Sequence, residues 1–110
     1  MTLDEYQKEA LVTAVFSEDE FRDLAHWTFG ITGEAGEIAE KLKKIIRDKD
    51  GIVSEEDKEE LIKEMGDVLW YLAVLSEHLG YKFDEVGKRN IAKLRSRQAR
   101  NKIHGSGDNR

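Results

Sequence analysis

The sequence predicts an all-α fold with four helices in a single domain. Apolar residues recur at the three- and four-residue spacing of a helix face, and no segment alternates with the two-residue period of a strand. Capping residues precede these stretches, and the 110 residues contain no proline that would interrupt them. Such a length supplies one domain with a modest core. We therefore expect residues 1–102 to form the domain and residues 103–110, rich in glycine and polar residues, to be a disordered tail.

The first two helices are predicted from capping boxes, in which Glu follows a Ser or Thr by three residues. Thr2 and Glu5 form such a box before an apolar pattern of helical spacing. Ser17 and Glu20 form a second box before a long helix. We expect this helix to end near Arg47, because Asp-Lys-Asp-Gly follows directly.

The last two helices have weaker boundary signals. Ser54 and Asp57 form a box of the same kind, and Gly80 is placed to end the third helix as its C-cap. The fourth helix is predicted from Asp84 to about Arg100.

The third predicted helix is apolar around nearly its whole circumference at residues 68–75. A helix of this kind must be covered on all sides, whereas a bundle helix in one chain leaves a flank exposed. We therefore expect a homo-oligomer, either a dimer or a tetramer built as a dimer of dimers. Trp70 and Val74 should lie on the outer flank, and the residues expected toward the core are Leu69, Leu72 and Leu79. The alternative is a well-buried central helix in a monomer.

The composition excludes several classes of site and location. With no cysteine, the chain has no disulfide scaffold, zinc-thiolate site or cysteine nucleophile, and its three histidines lack the spacing of a metal site. No apolar run approaches the ~20 residues of a membrane span. The first 20 residues lack the pattern of a secretory signal, so we expect a cytoplasmic protein with no membrane partner.

The net charge of −5 conceals an uneven distribution. Residues 1–87 carry 22 acidic and 10 basic side chains, a balance of −12, while residues 88–102 carry seven basic side chains and none that is acidic. A general nucleic-acid binder would present a dominant basic face, so we expect no direct nucleic-acid partner. An acidic body with one basic segment suits an anionic ligand bridged by cations.

Two carboxylate pairs carry the strongest chemical signal. Glu34 and Glu37 lie three residues apart in the second helix, and Glu64 and Asp67 lie three apart in the third. Residues at this spacing are neighbours on a helix surface. If the helices face each other, four carboxylates surround one point, and such oxygen ligands suit Mg²⁺ or Mn²⁺. The alternative is that these acids lie on solvated helix faces.

Glycines beside these acids favour a site. Gly33, Gly36 and Gly66 each adjoin a paired acid, and a glycine inside a helix costs about 1 kcal/mol relative to alanine. Such residues are tolerable where two backbones approach closely or where a ligand needs room.

The motif Glu34-x-x-Glu37, followed after 26 residues by Glu64-x-x-Asp67, resembles the signature of the MazG-like branch of the all-α nucleoside triphosphate pyrophosphohydrolases. Residues 66–72 (Gly-Asp-Val-Leu-Trp-Tyr-Leu) are also similar to this family. The resemblance implies the four-helix core bundle of this superfamily, assembled as a homo-oligomer. It further implies Mg²⁺-dependent cleavage of the α–β bond of (d)NTPs to the monophosphate and pyrophosphate, in nucleotide-pool house-cleaning.

The resemblance also implies a role for each acid. All four would hold Mg²⁺, with Mn²⁺ as a substitute, and Glu34 would take the proton from the attacking water.

Residues 90–97 resemble the basic motif of the family's fourth helix. Asn90, Lys93 and Arg97 would share one face and bind phosphate, although basic residues also complement a helix C-terminus. Tyr71 and Trp27 are candidates for stacking on the base, and for each the alternative is a place in the core. The competing function is a non-catalytic helical interaction module that uses the basic fourth helix.

Two lysines fall on the carboxylate side of the second helix. Lys41 and Lys44 either contact phosphate or pair with Glu37 and Glu40 in their own helix, and the sequence favours the pairing.

Overall fold

Four α-helices joined by turns make up the protein, and the computed structural model describes all 110 residues. The helices are α1 (Leu3–Leu11), α2 (Glu20–Lys49), α3 (Glu55–His78) and α4 (Phe83–Ala99). No strand is present. The all-α prediction is therefore confirmed. None of the four helices combines the length and apolar character that a membrane crossing requires.

Three of the predicted helix ends have the expected chemistry. Thr2 and Glu5 exchange both hydrogen bonds of a capping box, as do Ser54 and Asp57. Gly80 follows the end of α3 with φ = +84°, a left-handed conformation that only glycine adopts without strain. These ends were predictable because each depends on residues close together in the chain.

The predicted capping box at the start of α2 is wrong. Asp19 caps this helix, since its carboxylate accepts a 3.0 Å hydrogen bond from the backbone N–H of Arg22. Ser17 lies outside the helix and donates its hydroxyl hydrogen bond to Asp23 over 2.8 Å. A carboxylate at a helix N-terminus also interacts favourably with the helix dipole, which a hydroxyl cannot match.

The helices α2 and α3 form a long antiparallel pair. Ion pairs cross between them near their connecting turn, where Lys49 Nζ lies 2.7 Å from Asp57, and farther along, where Lys41 Nζ lies 3.5 Å from Glu64. The helices α1 and α4 pack on α3, whereas α4 does not contact α2. The fold is thus a helical hairpin with two shorter helices on one side.

Gln7 holds the two shorter helices on α3. Its buried side-chain amide donates to the carbonyl oxygens of Ala73 and Tyr81 over 3.2 and 3.1 Å, and its amide oxygen accepts from the backbone N–H of Phe83 over 3.0 Å. Ala10, Ala73 and Phe83 form the small apolar core beside it. Because every polar atom of the Gln7 side chain has a partner, its burial carries no desolvation penalty from unpaired groups.

The expected orientation of α3 is wrong except at Leu69, which packs against the apolar core as expected. Val74 is completely buried, and Trp70 donates its indole N–H to the carbonyl oxygen of Ala10 over 3.1 Å. Leu72 and Leu79, which we expected in the core, are exposed. The physical reason is the position of α1, which packs on the Trp70 flank of α3.

The single chain leaves much apolar surface uncovered. Its radius of gyration is 17.0 Å, compared with about 13 Å for a compact domain of roughly 100 residues. Three exposed side chains of α3 and the residue that caps its C-terminus, spaced three or seven residues apart, form an apolar stripe: Ile62, Met65, Leu72 and Leu79. We call these four residues the α3 stripe. All four remain exposed in the single chain.

The cap of α3 predicts a pH dependence of stability. Lys49 and the Ser54 backbone N–H hold the pKa of the Asp57 carboxyl at about 2, below its usual 3.8. A carboxyl with a depressed pKa stabilises the fold above its unfolded pKa, and this contribution disappears as the pH falls through the folded value. Asp57→Asn should therefore lower the Tm at pH 7, and the difference from wild type should shrink between pH 3.8 and about 2.

Thermal melts followed by circular dichroism from pH 7 to pH 2 measure this difference. Glu59→Gln is the matched control, since Glu59 is an exposed acid of the same helix without an ion pair. A loss of Tm that is the same at every pH would contradict the prediction.

Candidate metal centre

Three acidic side chains meet where α2 and α3 face each other. Glu34 from α2, and Glu64 and Asp67 from α3, each place one carboxylate oxygen within 4.8 Å of the others. We call these three residues the acid cluster. Glu37, the fourth predicted ligand, lies one turn farther along α2, is exposed and does not belong to this group. The structure thus brings together three of the four predicted metal ligands.

The electrostatics of the acid cluster favour a bound cation. Burial, and then the negative charges of Asp67, Glu64 and Glu37, raise the pKa of the Glu34 carboxyl. Burial and the charge of Asp67 also raise the pKa of the Tyr6 hydroxyl, which indicates that α1 borders the cluster. Carboxylate oxygens so close together repel one another, and a hard divalent cation relieves the repulsion while using them as ligands. The donor set fits Mg²⁺ or Mn²⁺.

Lys41 contacts the acid cluster from α2. Its Nζ lies 3.5 Å from Glu64 and 3.5 Å from Glu60, both on α3. The expected pairing of Lys41 with Glu37 and Glu40 in its own helix is therefore wrong. The antiparallel packing of α2 and α3 places the acids of α3 within reach of the lysine.

Tyr71 lies next to the acid cluster. Its ring rests on α2 at Gly30, where an added Cβ would collide with the ring. Gly30 is one helical turn before Glu34, and Tyr71 is one turn after Asp67. The tyrosine therefore lies about one turn from the acids on both helices, and its stacking on a base stays a prediction.

Trp27 occupies the core of this chain. It is 2% exposed, and its ring stacks on His26 with centroids 4.6 Å apart and meets Phe16 and Trp70 edge-on at 5.4 and 5.9 Å. The structure thus agrees with the alternative that Trp27 is a core residue. Stacking of a base on Trp27 stays a prediction, and it would require these rings to move.

The glycines around the site differ in their surroundings. A Cβ added at Gly33, Gly36 or Gly66 would meet nothing within 4 Å, so close backbone approach within the chain does not explain them. Gly30, which the sequence pattern did not single out, is the glycine that allows the close contact between α2 and the Tyr71 ring of α3. The sequence feature that could have indicated Gly30 is its place inside the helix, on the same face as Trp27 and Glu34.

The basic residues of α4 do not reach the acid cluster in this chain. Lys93 Nζ lies 3.1 Å from the Asp108 carboxylate, and Arg97 donates to the Asp108 carbonyl oxygen over 2.7 Å. No ion pair joins them to Glu34, Glu64 or Asp67. Residues 107–108 lie over Arg97, which is 5% exposed and has an Nε without a partner. Disorder of residues 103–110 stays a prediction.

Asn90 and Lys93 line a groove of about 410 Å³ on α4. Tyr81 and Arg89 lie on the same groove, and the Arg89 guanidinium sits 4.8 Å from the centroid of the Tyr81 ring. The groove is of mixed charge, because Glu85 also lines it and lies 2.8 Å from the Arg89 guanidinium.

Substitutions at two glycines of α2 test the contact with Tyr71. Gly30→Ala should destabilise the fold by about 1–3 kcal/mol, because the rigid Tyr71 ring must shift. Gly33→Ala, three residues away in open space, should stabilise it by about 0.5–1 kcal/mol through helix propensity. Urea denaturation of both variants measures the difference. A Gly30→Ala variant as stable as Gly33→Ala would show that Tyr71 does not rest on α2.

Comparisons with known proteins identify the family of the chain. A family model described as the MazG nucleotide pyrophosphohydrolase domain matches residues 24–101, which contain the acid cluster and all of α3 and α4. The "Gene 37 protein" of Mycobacterium phage L5 is 46% identical over 114 aligned positions that cover both chains completely. No solved structure matches the chain. Because the family model covers most of its length, the chain belongs to the MazG nucleotide pyrophosphohydrolase domain family, as the resemblance of its motifs predicts.

Proposed function

We propose that this protein is a Mg²⁺-dependent nucleoside triphosphate pyrophosphohydrolase. It cleaves the α–β phosphate bond of (d)NTPs, releases the monophosphate and pyrophosphate, and so removes unwanted nucleotides from the pool. The observation that carries the proposal is the acid cluster, with oxygens of Glu34, Glu64 and Asp67 within 4.8 Å in a chain of the MazG family.

The carboxylates of the acid cluster would hold the metal, with Glu37 one turn away as a further ligand. When bound, Mg²⁺ neutralises charge on the phosphoryl oxygens, and Mn²⁺ uses the same oxygen ligands. The chain supplies these carboxylates from two helices whose pairing fixes their separation, so little rearrangement is needed to form the site.

Glu34 is our candidate for the general base. It is half-buried, and it is the one member of the acid cluster that comes from α2, facing both acids of α3. In the reaction, the water oxygen forms a bond to the α-phosphorus as the bond from that phosphorus to the bridging oxygen breaks. The proton of the water passes to a Glu34 carboxylate oxygen, and pyrophosphate leaves.

Lys93 and Arg97 are proposed to bind the phosphates, with Asn90 one turn earlier on α4. An incoming phosphate must displace Asp108, which pairs with both basic side chains. Since α4 does not contact α2, these residues complete the site either by movement of α4 or from another copy of the chain.

The protein is further proposed to be a homo-oligomer, a dimer or a dimer of dimers. The support is the exposed α3 stripe together with the extended shape of the single chain. Exposed apolar stripes of this length on a helix are typical of surfaces that a second helix covers.

A charge in the α3 stripe tests the assembly. Wild type should have a mass in solution of two or four times 12.6 kDa, and Met65→Glu should shift this mass toward that of the monomer. Met65 is 57% exposed in the single chain, so the charge should leave the fold of the chain intact. Ile52→Glu, in the exposed turn before α3, is the control and should keep the wild-type mass. Light scattering after size exclusion measures all three, and a monomeric wild type would overturn the proposal.

The competing function is a non-catalytic helical module that binds a partner through α4. It is favoured by one observation, namely that Lys93 and Arg97 do not approach the acid cluster within the chain. In that case the purified protein would hydrolyse no nucleotide.

A nucleotide panel separates the two functions. Purified protein with Mg²⁺ should release equal amounts of monophosphate and pyrophosphate from at least one (d)NTP. Asp67→Asn should lower kcat by at least about 100-fold, because the site loses a negative charge that stabilises the bound cation. The kcat of Glu37→Gln, measured in the same way, gives the contribution of Glu37 to turnover.

Glu59→Gln is the matched control for Asp67→Asn. Glu59 is an exposed acid on α3 outside the cluster, and its variant should keep wild-type turnover. Circular dichroism should show unchanged helicity in all variants. No turnover of any nucleotide by intact wild type would exclude the enzyme, and full activity of Asp67→Asn would remove this acid from the site.

A further inference from the structure

Lys41 is the one basic side chain within ion-pair distance of the acid cluster. Its Nζ lies 3.5 Å from Glu64, which is a member of the cluster, and 3.5 Å from Glu60, which is not. Lys44, one turn nearer the C-terminus of α2, makes no ion pair. Lys41 therefore offsets part of the negative charge that the three carboxylates gather.

The ammonium group of Lys41 is held loosely. A charged N–H···O hydrogen bond is typically about 2.7–2.9 Å long, and both contacts of Lys41 are longer than this. Two other lysines along the same helix pair are bound tightly, since Lys49 Nζ lies 2.7 Å from Asp57 and Lys63 Nζ lies 2.9 Å from Glu60. Lys49 thus fastens α2 to α3, whereas Lys41 lies between two acids at a longer distance from each. The Lys41 ammonium is therefore placed to leave one carboxylate and pair with another anionic group.

The position of Lys41 also has a consequence for the metal-bound state. If Glu64 held a divalent cation, the positive charge of the cation would repel the Lys41 ammonium, because both would interact with the same carboxylate. Glu60, or an anionic group arriving with the cation, can then accept the ammonium. Because Lys41 Nζ already lies 3.5 Å from one carboxylate of the cluster, its flexible stem would allow it to reach a phosphate oxygen bound there.

We infer that Lys41 is a phosphate-binding residue of this site, held between Glu60 and Glu64 until ligand arrives and then transferred to the phosphate chain of the nucleotide. The inference rests on the proposed function for the identity of the ligand. It assigns to α2 a positive charge for the phosphates, which α4 does not bring to the acid cluster within the chain.

Two equilibrium measurements test Lys41 without turnover. Binding of Mn²⁺ alone, followed by electron paramagnetic resonance, should tighten about three- to tenfold in Lys41→Gln, because a repelling charge is removed. Binding of pyrophosphate to the Mn²⁺-loaded protein, followed by calorimetry, should weaken about tenfold in the same variant. Lys41→Arg should restore pyrophosphate binding, since the guanidinium keeps the charge.

Lys63→Gln is the matched control. Lys63 shares Glu60 with Lys41 but does not contact Glu64, so neither affinity should change. If Lys41→Gln lowers the Tm but leaves the pyrophosphate affinity of the Mn²⁺-loaded protein at the wild-type value, Lys41 is a structural ion pair and the inference is overturned. If wild type hydrolyses no nucleotide, the proposed function fails, while the two binding measurements still decide the role of Lys41.

Discussion

The register of α2 against α3 is the constraint on which the rest of the structure depends. Lys49 and Asp57 fix it near the connecting turn, and the contact of Tyr71 with Gly30 fixes it beyond the acid cluster. The three carboxylates lie between these two contacts. A slip of one residue would rotate each side chain by about 100° around its helix and disperse the cluster. The site therefore owes its geometry to contacts that take no part in the chemistry.

The acid cluster opposes the stability of the helix pair that holds it. Three carboxylates within 4.8 Å repel one another, and this repulsion adds to burial in raising the pKa of Glu34. Lys41 compensates only partly, at a distance of 3.5 Å from Glu64. Charged groups whose mutual repulsion lowers the stability of the free fold, and whose repulsion a bound cation would relieve, are characteristic of functional sites.

The sequence predicts most features that depend on neighbours in the chain and fails where distant helices decide. The boxes at Thr2 and Ser54 are local and appear in the structure as expected, whereas the equally local box at Ser17 is replaced by a cap from Asp19. The partner of Lys41 and the buried flank of α3 depend on which helix packs against which, and neither could be derived from spacing within one helix. Gly30 shows the same limit, because its requirement comes from a ring 41 positions away in the sequence.

The uncovered surface and the incomplete site lie on the same helix. The α3 stripe contains Met65, which stands between Glu64 and Asp67 in the sequence. A second copy on the stripe would restrict the motion of the helix that supplies two of the three clustered carboxylates. In such an assembly α3 would both bury the apolar stripe and supply two carboxylates of the acid cluster. Association would therefore stabilise the helix on which the site depends.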